Sequence, residues 1–262
     1  MTKTAFVAIV GKPNVGKSSL LNKMLGQKIA IVSSKPQTTR TKIMGVLTKG
    51  ETQLVFTDTP GFHKAHNKLG EKMNEAVGDT VGGVDACLFL TEPRGELNEQ
   101  ELQLLEMFKK QKMPVILAIN KIDMINDKEE LFKRIVYLTS FYDFTAVVPV
   151  SATEGDHVDE LIDELDKLAF ESPHFFPDDT LTDQPERVLA AEIIREKILR
   201  LMDKEIPHGI AVAVEKMRER DDKDILDIDA TIYCERESHK GMVIGKNGSM
   251  LKKVSTYARQ DL

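Results

Sequence analysis

A phosphate-binding pattern stands near the start of the chain, directly after the apolar run Ala5 to Val10. Residues 11–18 fit G-x-x-x-x-G-K-[ST], in which two glycines let successive backbone N–H groups face one concavity before a helix begins. Lys17 would supply a point charge to the β and γ phosphates of a nucleotide, and Ser18 would ligate Mg²⁺. The predicted phosphate-binding residues are Gly11, Lys12, Pro13, Asn14, Val15, Gly16, Lys17, Ser18 and Ser19.

Three further motifs each follow an apolar, strand-like run: Asp58-Thr59-Pro60-Gly61, Asn120-Lys121-Ile122-Asp123 and Ser151-Ala152. Asp58 can reach Mg²⁺ through water, and the Gly61 N–H can meet a γ-phosphate. The Asp123 carboxylate can accept two hydrogen bonds from guanine, whereas adenine lacks that donor pair. Ser151 and Ala152 offer small groups beside the base carbonyl. Each motif alone could be a turn, but the four in order predict a GTP site at the carboxyl ends of strands.

Up to about residue 170, apolar β-rich runs alternate with amphipathic helical patterns, which predicts βαβ units and a mostly parallel α/β sheet. The predicted strands are 5–10, 53–57, 84–90, 115–120 and 146–150, and the predicted helices are 16–25, 98–112, 127–142 and 156–169. These features predict a nucleotide domain over residues 1–170.

A second, smaller α+β domain is predicted over residues 187–262, after a linker at 171–186 that contains three prolines. Its pattern is a helix over 187–204, two strands over 210–217 and 225–234 joined at 221–224, and two helices around a tight turn. Two strands give a thin core, so we expect this domain to lack its last strand.

The tight turn is Gly245-Lys246-Asn247-Gly248, which fits the GxxG loop that lets a backbone approach the sugar-phosphate chain of single-stranded RNA. Residues 236–260 carry six basic side chains and one acidic side chain, in a chain whose formal net charge is −6. This stretch is either an RNA surface or a solvated basic helix face, and the residues alone leave both open. The RNA-binding candidates are Ile244, Gly245, Lys246, Asn247, Gly248, Lys252 and Lys253.

Length and composition exclude several classes of protein. The 262 residues are 41% hydrophobic, which suits one or two globular domains and excludes a disordered or fibrous chain. Cys87 and Cys234 are far apart in the sequence, so a disulfide scaffold is not expected. No apolar run approaches the roughly 18 to 20 residues needed to cross a bilayer, and the N-terminus lacks a secretory pattern. We therefore expect a cytoplasmic protein.

The four nucleotide motifs, in this order and spacing, resemble a translation-factor-type GTPase domain. Together with Gln37-Thr38-Thr39-Arg40 and the later VIGKNG, they are similar to the Era family of ribosome-assembly GTPases, which carry a C-terminal type II KH domain. The resemblance covers essentially the whole chain. It implies a GTP-hydrolysing switch that binds the 3′ region of small-subunit ribosomal RNA and acts in maturation of that subunit.

The resemblance also implies a role for residues 37–40, which form the first switch segment in this family. One threonine of the 37–40 segment completes the Mg²⁺ shell, and we assign Thr39 rather than Thr38, although such a segment can also be an ordinary polar loop. The Mg²⁺ set is then Ser18, Thr39 and, through water, Asp58. Peripheral membrane association is described for the family, but the residues show no anchor, and we expect a monomer.

Phe62 follows the second motif where many GTPases have a glutamine that orients water, so we expect slow intrinsic hydrolysis. Relatives with a hydrophobic residue there often use a monovalent cation held by a P-loop asparagine. We therefore hypothesise that Asn14 helps to hold K⁺, the alternative being that its side chain only stabilises the loop. The predicted catalytic residues are Asn14, Lys17, Thr39, Asp58 and Gly61. A P-loop ATPase or kinase, and a non-hydrolysing nucleotide-gated RNA-binding protein, are the remaining alternatives.

Overall fold

The computed structural model describes residues 1–33, 35, 38–40, 42–59, 80–202, 209–221 and 223–262. The predictions for Gln37, Pro60, Gly61 and Phe62 lie outside these residues. Contacts divide the chain into two compact units, which are described separately: residues 1–30 and 39–183 form unit 1, and residues 31–38 and 184–262 form unit 2.

Unit 1 is an α/β layer structure around one sheet, whose described strands follow the order β2-β3-β1-β4-β5-β6, with β7 beside the start of β1. The strands are β1 (Lys3–Gly11), β2 (Ile43–Lys49), β3 (Thr52–Asp58), β4 (Ala86–Thr91), β5 (Val115–Ile119), β6 (Ala146–Pro149) and β7 (Phe170–Glu171). The helices are α1 (Lys17–Leu25), α2 (Glu99–Gln111), α3 (Lys128–Thr139) and α4 (Val158–Asp166). The pairs of β1 with β3 and β4, of β4 with β5, and of β5 with β6 are parallel, which confirms the predicted mostly parallel sheet.

Both faces of this sheet are buried, because successive side chains of each strand enter opposite cores. In β4, Leu88 and Leu90 belong to the core cluster that α1 and α4 cover. Cys87 and Phe89 belong to the cluster on the other face, which α2 and α3 cover. The continuous apolar runs from which these strands were predicted are a direct result of this two-sided burial.

The edge strand β2 was not predicted, and it runs antiparallel to β3. Its sequence contains Gly45 and ends in Thr48 and Lys49, so it lacks the continuous apolar run of the inner strands. A Cβ at Gly45 would lie 2.8 Å from Leu25 Cδ1 and 2.9 Å from Leu21 Cδ1, so any larger residue there would have to displace these two leucines of α1.

Much of the segment predicted as a linker packs on unit 1. Gln53 accepts hydrogen bonds from the backbone N–H groups of Phe175 and Phe176, at 2.8 and 3.0 Å. The Val46 N–H donates to the Leu181 carbonyl at 2.9 Å, and the rings of Phe6 and Phe175 meet edge to face. Residues up to Asp183 therefore belong to unit 1, and the domain boundaries given from the sequence stay predictions.

Unit 2 has the α-β-β-α-α order expected from the sequence: α5 (Glu186–Leu201), β8 (Ile210–Arg220), β9 (Lys223–Cys234), α6 (Glu237–Ile244) and α7 (Ser249–Asp261). The strands form an antiparallel hairpin in which Arg220 pairs with Lys223, so its turn is shorter than the predicted 221–224. Among the described residues of unit 2, the buried core cluster contains Ile198, Met202, Ile210, Val243 and Val254, with further partly buried apolar side chains packed against it.

Candidate nucleotide site and nucleic-acid interface

The nucleotide motifs meet at one edge of the sheet. Because β1, β3, β5 and β6 run parallel, their carboxyl ends lie at the same edge, which is where open α/β sheets bind ligands. The 11–18 loop leaves β1 there, Asp58 ends β3, Asn120 follows β5, and Ser151 follows β6.

The loop between β1 and α1 depends on its two motif glycines for two reasons: their backbone conformation and the close approach of neighbouring atoms. Gly11 and Gly16 have φ values of 152° and 102°. A Cβ at Gly11 would lie 2.5 Å from the Leu90 carbonyl oxygen, and one at Gly16 would lie 2.2 Å from Asn120 Nδ2. Any side chain at either position would therefore push the loop away from β4 or from Asn120.

The first turn of α1 is arranged for an anion. Gly16 caps it in the left-handed conformation without a side-chain hydrogen bond, and this fully described turn has no acidic residue. Its N–H groups and its positive dipole end are therefore left for a ligand. Val15 is fully buried beneath the loop, while Lys12, Pro13, Gly16, Ser18 and Ser19 are half-buried and Asn14 is exposed.

Lys17 is buried, and its Nζ donates to the carbonyls of Gly11 and Lys12, each at 3.1 Å. Burial lowers the pKa of Lys17 to about 8, although the charges of Asp58 and Glu101 oppose this. An ammonium group that burial destabilises in this way gains from a phosphate anion brought to it.

Ser18, Asp58 and Thr39 form a cluster of oxygen atoms at the same point. Ser18 Oγ donates to Asp58 Oδ2 at 2.6 Å, and Ser18 Oγ lies 2.9 Å from Thr39 Oγ1. Asp58 Oδ1 is buried and has no hydrogen-bond partner among the described residues. Burial raises the pKa of Asp58 to about 6, against the opposing effects of Lys17 and Ser18.

Thr38 and Thr39 point to different partners. Thr38 Oγ1 donates to the Lys35 carbonyl at 2.6 Å and lies 3.0 Å from Ser33 Oγ. Thr39 is the threonine whose hydroxyl reaches Ser18. The geometry therefore supports Thr39 over Thr38 as the oxygen that joins the cluster.

Asn120 joins two of the motifs to each other. Its Nδ2 donates to the Val15 carbonyl at 2.8 Å, and its Oδ1 accepts from the Ala152 N–H at 3.0 Å. Since both ends of the amide are bonded within unit 1, Asn120 fixes the distance between the phosphate loop and the 151–152 segment.

Asp123 and Ser151 are linked side by side. Ser151 Oγ donates to Asp123 Oδ1 at 2.6 Å, and the Asp123 side chain is exposed at the mouth of the site. This bond orients a carboxylate that can accept from a guanine base. Thr59 instead turns inward, where its Oγ1 donates to the Ile9 carbonyl at 2.8 Å, so its side chain anchors the end of β3.

Glu92, which was not predicted from the sequence, follows β4 at the same edge. Its carboxylate pairs with Lys12 through Oε2 and with Lys121 through Oε1, the latter at 2.5 Å. Lys121 Nζ also donates to the Asn14 carbonyl at 2.8 Å. Burial opposes ionisation of Glu92, but the hydrogen bonds from both lysines hold its pKa below the ordinary value. Its place at the end of the strand beside β1 was the signal that could have revealed it.

The GxxG loop of unit 2 has the backbone that its sequence requires. Gly245, Asn247 and Gly248 have φ values of 72°, 52° and 75°, and a Cβ at Gly245 would lie 2.8 Å from the backbone nitrogen of Met250. The loop therefore turns tightly from α6 into α7. Lys246 and Asn247 are exposed at its tip.

The other predicted RNA contacts lie beside this loop. Ile244 is exposed at the end of α6, and Lys252 and Lys253 are exposed in the first half of α7, whose first turn has no acidic residue. Val254 and Ala258 are buried on the opposite side of α7. The loop and the start of α7 thus form one exposed, positively charged surface in unit 2.

Comparison with protein families identifies both parts of the chain. Residues 6–121 match a family described as "50S ribosome-binding GTPase", and residues 205–262 match the KH domain family. Within the part of the chain that the structure describes, no helix is long and apolar enough to span a membrane.

Whole-chain relatives combine the same two parts. The chain is 50% identical to GTPase Era of Clostridioides difficile (strain 630) over 262 residues, covering 100% of this chain and 88% of the relative. It is 47% identical to GTPase Era of Clostridium kluyveri, covering 100% and 89%.

Two solved structures share this fold, each with a TM-score of 0.93, 38% identity, and coverage of 99% of this chain and 88% of the other. One is Era in complex with MgGDPNP and nucleotides 1506–1542 of 16S ribosomal RNA. The other is a variant of Aquifex aeolicus Era bound to GDP.AlF4-.

Proposed function

The chain belongs to the Era family of GTPases, and we propose that it is a GTP-hydrolysing switch whose KH domain binds the 3′ region of 16S ribosomal RNA during maturation of the small ribosomal subunit. The family description for residues 6–121 names the large subunit instead. That match ends before the KH domain, so the RNA bound by the full-length relative is the better guide to the RNA partner.

The observation that carries the GTPase assignment is the convergence of Lys17, Ser18, Thr39 and Asp58 at the start of α1, with Asp123 at the same sheet edge. An ATPase or kinase would share the phosphate loop, but it would have no need of the Asp123 carboxylate that Ser151 orients. The full-length identity to GTPases supports the same conclusion.

The oxygen cluster fits Mg²⁺. It offers two hydroxyls and a carboxylate, which are the hard oxygen ligands this ion prefers, and the buried Asp58 Oδ1 has no hydrogen-bond partner among the described residues. We assign Ser18 and Thr39 as ligands and Asp58 as a ligand through water. When bound here, Mg²⁺ supplies positive charge to the β and γ phosphates of GTP.

The remaining residues bind and orient the nucleotide. Lys17 and the N–H groups of the loop and of the first α1 turn bind the phosphates, since both present positive charge to one concavity. Asp123 accepts from the guanine base, and Asn120 holds the base-binding and phosphate-binding segments together. Gly61 stays a sequence prediction as a γ-phosphate contact.

We keep the K⁺ hypothesis for Asn14. Its exposed, left-handed position in the loop supports a role toward a ligand, and its backbone carbonyl is held by Lys121. We expect phosphate release to be faster in K⁺ than in Na⁺ at equal ionic strength, and Asn14→Ala to remove that difference. Equal rates in the two salts, or K⁺ stimulation that survives in Asn14→Ala, contradict the hypothesis and leave a loop-stabilising role.

The RNA assignment depends on the GxxG loop and the basic start of α7. Exposed Lys246, Lys252 and Lys253 can neutralise phosphates, while the tight loop lets its backbone approach the sugar-phosphate chain. Exposed Ile244 offers an apolar edge against which a base can pack.

A binding and turnover experiment tests the whole proposal. We expect the protein to release phosphate from GTP and not from ATP, and to bind an RNA of 16S nucleotides 1506–1542 more tightly than a scrambled RNA of equal length. The variant Lys246→Asp/Asn247→Asp should lose RNA binding and keep GTP hydrolysis, because the loop lies in unit 2. Equal binding of both RNAs, or undiminished binding by the variant, would remove the RNA half of the proposal.

A further inference from the structure

Helix α5 buries three consecutive charged side chains. Arg195, Glu196 and Lys197 are only 2%, 0% and 6% exposed. Charged residues are rarely this buried unless they are paired, and a sequence pattern cannot reveal the pairs. Some of their partners lie on α5 itself, and the others lie in two further parts of unit 2: the segment 31–38 and the helix α7.

Glu196 holds the start of the 31–38 segment. Its Oε1 accepts from the Val32 backbone N–H at 2.8 Å. Arg200, one turn further along α5, donates to the Val32 carbonyl at 3.0 Å and to Glu196 Oε1 at 3.0 Å. Both backbone groups of Val32 are therefore bound to α5.

Arg195 holds the end of the same segment. Its guanidinium donates to the Thr38 carbonyl and is itself fixed by Glu192, with Nε 2.8 Å from Glu192 Oε1. Between Val32 and Thr38, the described residues Ser33 and Lys35 are also linked. The Lys35 N–H donates to Ser33 Oγ, and Ser33 Oγ lies 3.0 Å from Thr38 Oγ1. The segment is thus held at Val32 and at Thr38.

The two residues that flank this segment are fixed in unit 1 by α1. The side chain of Asn22 binds both the N–H and the carbonyl of Ala30, at 2.9 and 2.7 Å. Thr39 meets Ser18, also on α1, in the oxygen cluster. Thr38 and Thr39 are consecutive residues, Thr38 in unit 2 and Thr39 in unit 1, so one peptide bond joins the anchored segment to the residue of the oxygen cluster.

Lys197 extends the network to the helix that follows the GxxG loop. Its Nζ lies 3.0 Å from Glu196 Oε2 and also pairs with Asp261, the last residue of α7. Burial alone would lower the pKa of Lys197, but the pairs with Asp261 and Glu196 hold it above the ordinary value. The 13 residues of α7 make a rod about 20 Å long that connects the GxxG loop to this pair.

We propose that Arg195 and Glu196 are positioning residues that hold Thr39 for the Mg²⁺–GTP site, and that the Lys197–Asp261 pair makes this hold depend on the RNA-bound position of α7. This inference rests on the proposed function, because it needs both GTP and RNA binding. If α7 moves so that Asp261 is withdrawn, Lys197 keeps only its pair with Glu196. The Glu196 carboxylate then shifts and no longer accepts from the Val32 N–H. Buried charges favour such discrete rearrangements, since an unpaired intermediate is strongly disfavoured.

Linkage makes this proposal measurable. If RNA tightens GDPNP binding by some factor, GDPNP must tighten RNA binding by the same factor, and such couplings are typically about 5- to 150-fold. We would measure the affinity for GDPNP with and without the 1506–1542 RNA, and the affinity for that RNA with GDPNP and with GDP. The amide exchange rate of Val32 would be followed in the same samples, because the Val32 N–H donates its hydrogen bond to Glu196.

Two variants break the network at different points. Asp261→Asn removes the α7 end of the network while keeping the side chain nearly the same size, and Glu196→Gln removes the central charge. Glu186→Gln is the matched control, since it makes the same change at an exposed position on α5. We expect Asp261→Asn to keep the RNA-free GDPNP affinity within about twofold, while its coupling factor falls below about one third of the starting value. RNA should slow Val32 exchange in the unmodified chain and in Glu186→Gln, but not in Asp261→Asn.

The outcomes separate this inference from the function that it rests on. If the unmodified chain fails to bind GDPNP or the RNA, the proposed function is wrong. If it binds both and the coupling in Asp261→Asn and Glu196→Gln equals that in Glu186→Gln, the function stands and the network has no part in coupling. Coupling that is absent from the unmodified chain, or lost equally in the control, also overturns the inference.

Discussion

The nucleotide site of unit 1 and the candidate RNA surface of unit 2 are built in opposite ways. The nucleotide site brings together six separate stretches of chain, and Lys17 and Asp58 within it are buried and have strongly shifted pKa values. The RNA surface is one continuous stretch from Ile244 to Lys253, and its charged side chains are exposed.

This difference sets how each site should respond to change. A buried polar cluster depends on each member, because removal of one leaves its neighbours without a partner in a medium of low dielectric. An exposed basic surface acts through summed, screened charge, so each side chain contributes a modest part. We therefore expect abrupt losses in unit 1 and graded, salt-dependent losses in unit 2.

The largest effect is expected from Asp58→Asn. The change removes the carboxylate of the oxygen cluster, so kcat/KM for GTP should fall by about 100-fold or more, as it does when one preorganised charge-stabilising group is lost. Phosphate release in Mg²⁺ measures this. Asp163→Asn, at an exposed pair with Lys49, is the control and should be unaffected. Hydrolysis within about tenfold of normal in Asp58→Asn would contradict the assigned cluster.

A smaller but still abrupt effect is expected from Gly16→Ala. Its Cβ would collide with Asn120, so the phosphate loop must move, and affinity for GTP should fall by about tenfold or more. Gly95→Ala is the matched control, because Gly95 also has a positive φ, 87°, but a Cβ added there would have no neighbouring atom within 4 Å. The control should lose about 1–2 kcal/mol of stability and keep its GTP affinity. Equal GTP affinities in the two variants would show that close approach to Asn120 is unimportant.

A graded effect is expected from Lys246→Ala/Lys253→Ala. Loss of two phosphate contacts should weaken RNA binding by about tenfold at physiological salt and reduce the slope of log K against log salt by about 1.4. Titrations at several salt concentrations measure both quantities. Lys216→Ala, at an exposed position on β8, should leave the slope unchanged. An unchanged slope in the double variant removes these lysines from the interface.

The smallest effect is expected from Glu92→Gln, and it sharpens the contrast within unit 1. Glu92 is partly exposed, so its pairs with Lys12 and Lys121 should be worth no more than about fivefold in GTP affinity. Raising the salt concentration should shrink this difference in GTP affinity further. The effect of Asp58→Asn, in contrast, should not shrink with salt. Exposed Glu96→Gln serves as the control. A loss as large as that of Asp58→Asn would place Glu92 in direct contact with the nucleotide.

Much of the fold follows from the sequence because inner strands buried on both faces must be continuous apolar runs. The strands β1, β3, β4, β5 and β6 were predicted within a few residues for this reason. The edge strand β2 was missed because its Gly45 is explained only by the leucines of α1 that approach it. The residue pattern of β2 contains no sign of that approach.

The sequence by itself determined the nucleotide motifs, their order, and their place at the ends of parallel strands, because strand direction fixes the edge at which they meet. It also determined the glycines of both tight loops, since few other residues adopt those backbone angles. Only the tertiary structure decided that Thr39 rather than Thr38 meets Ser18, and that Glu92 joins Lys12 to Lys121. The burial of the three charged side chains of α5 is likewise evident only from the tertiary structure. Spacing along the chain can show which face a side chain occupies, but its partner across the fold depends on where distant segments pack.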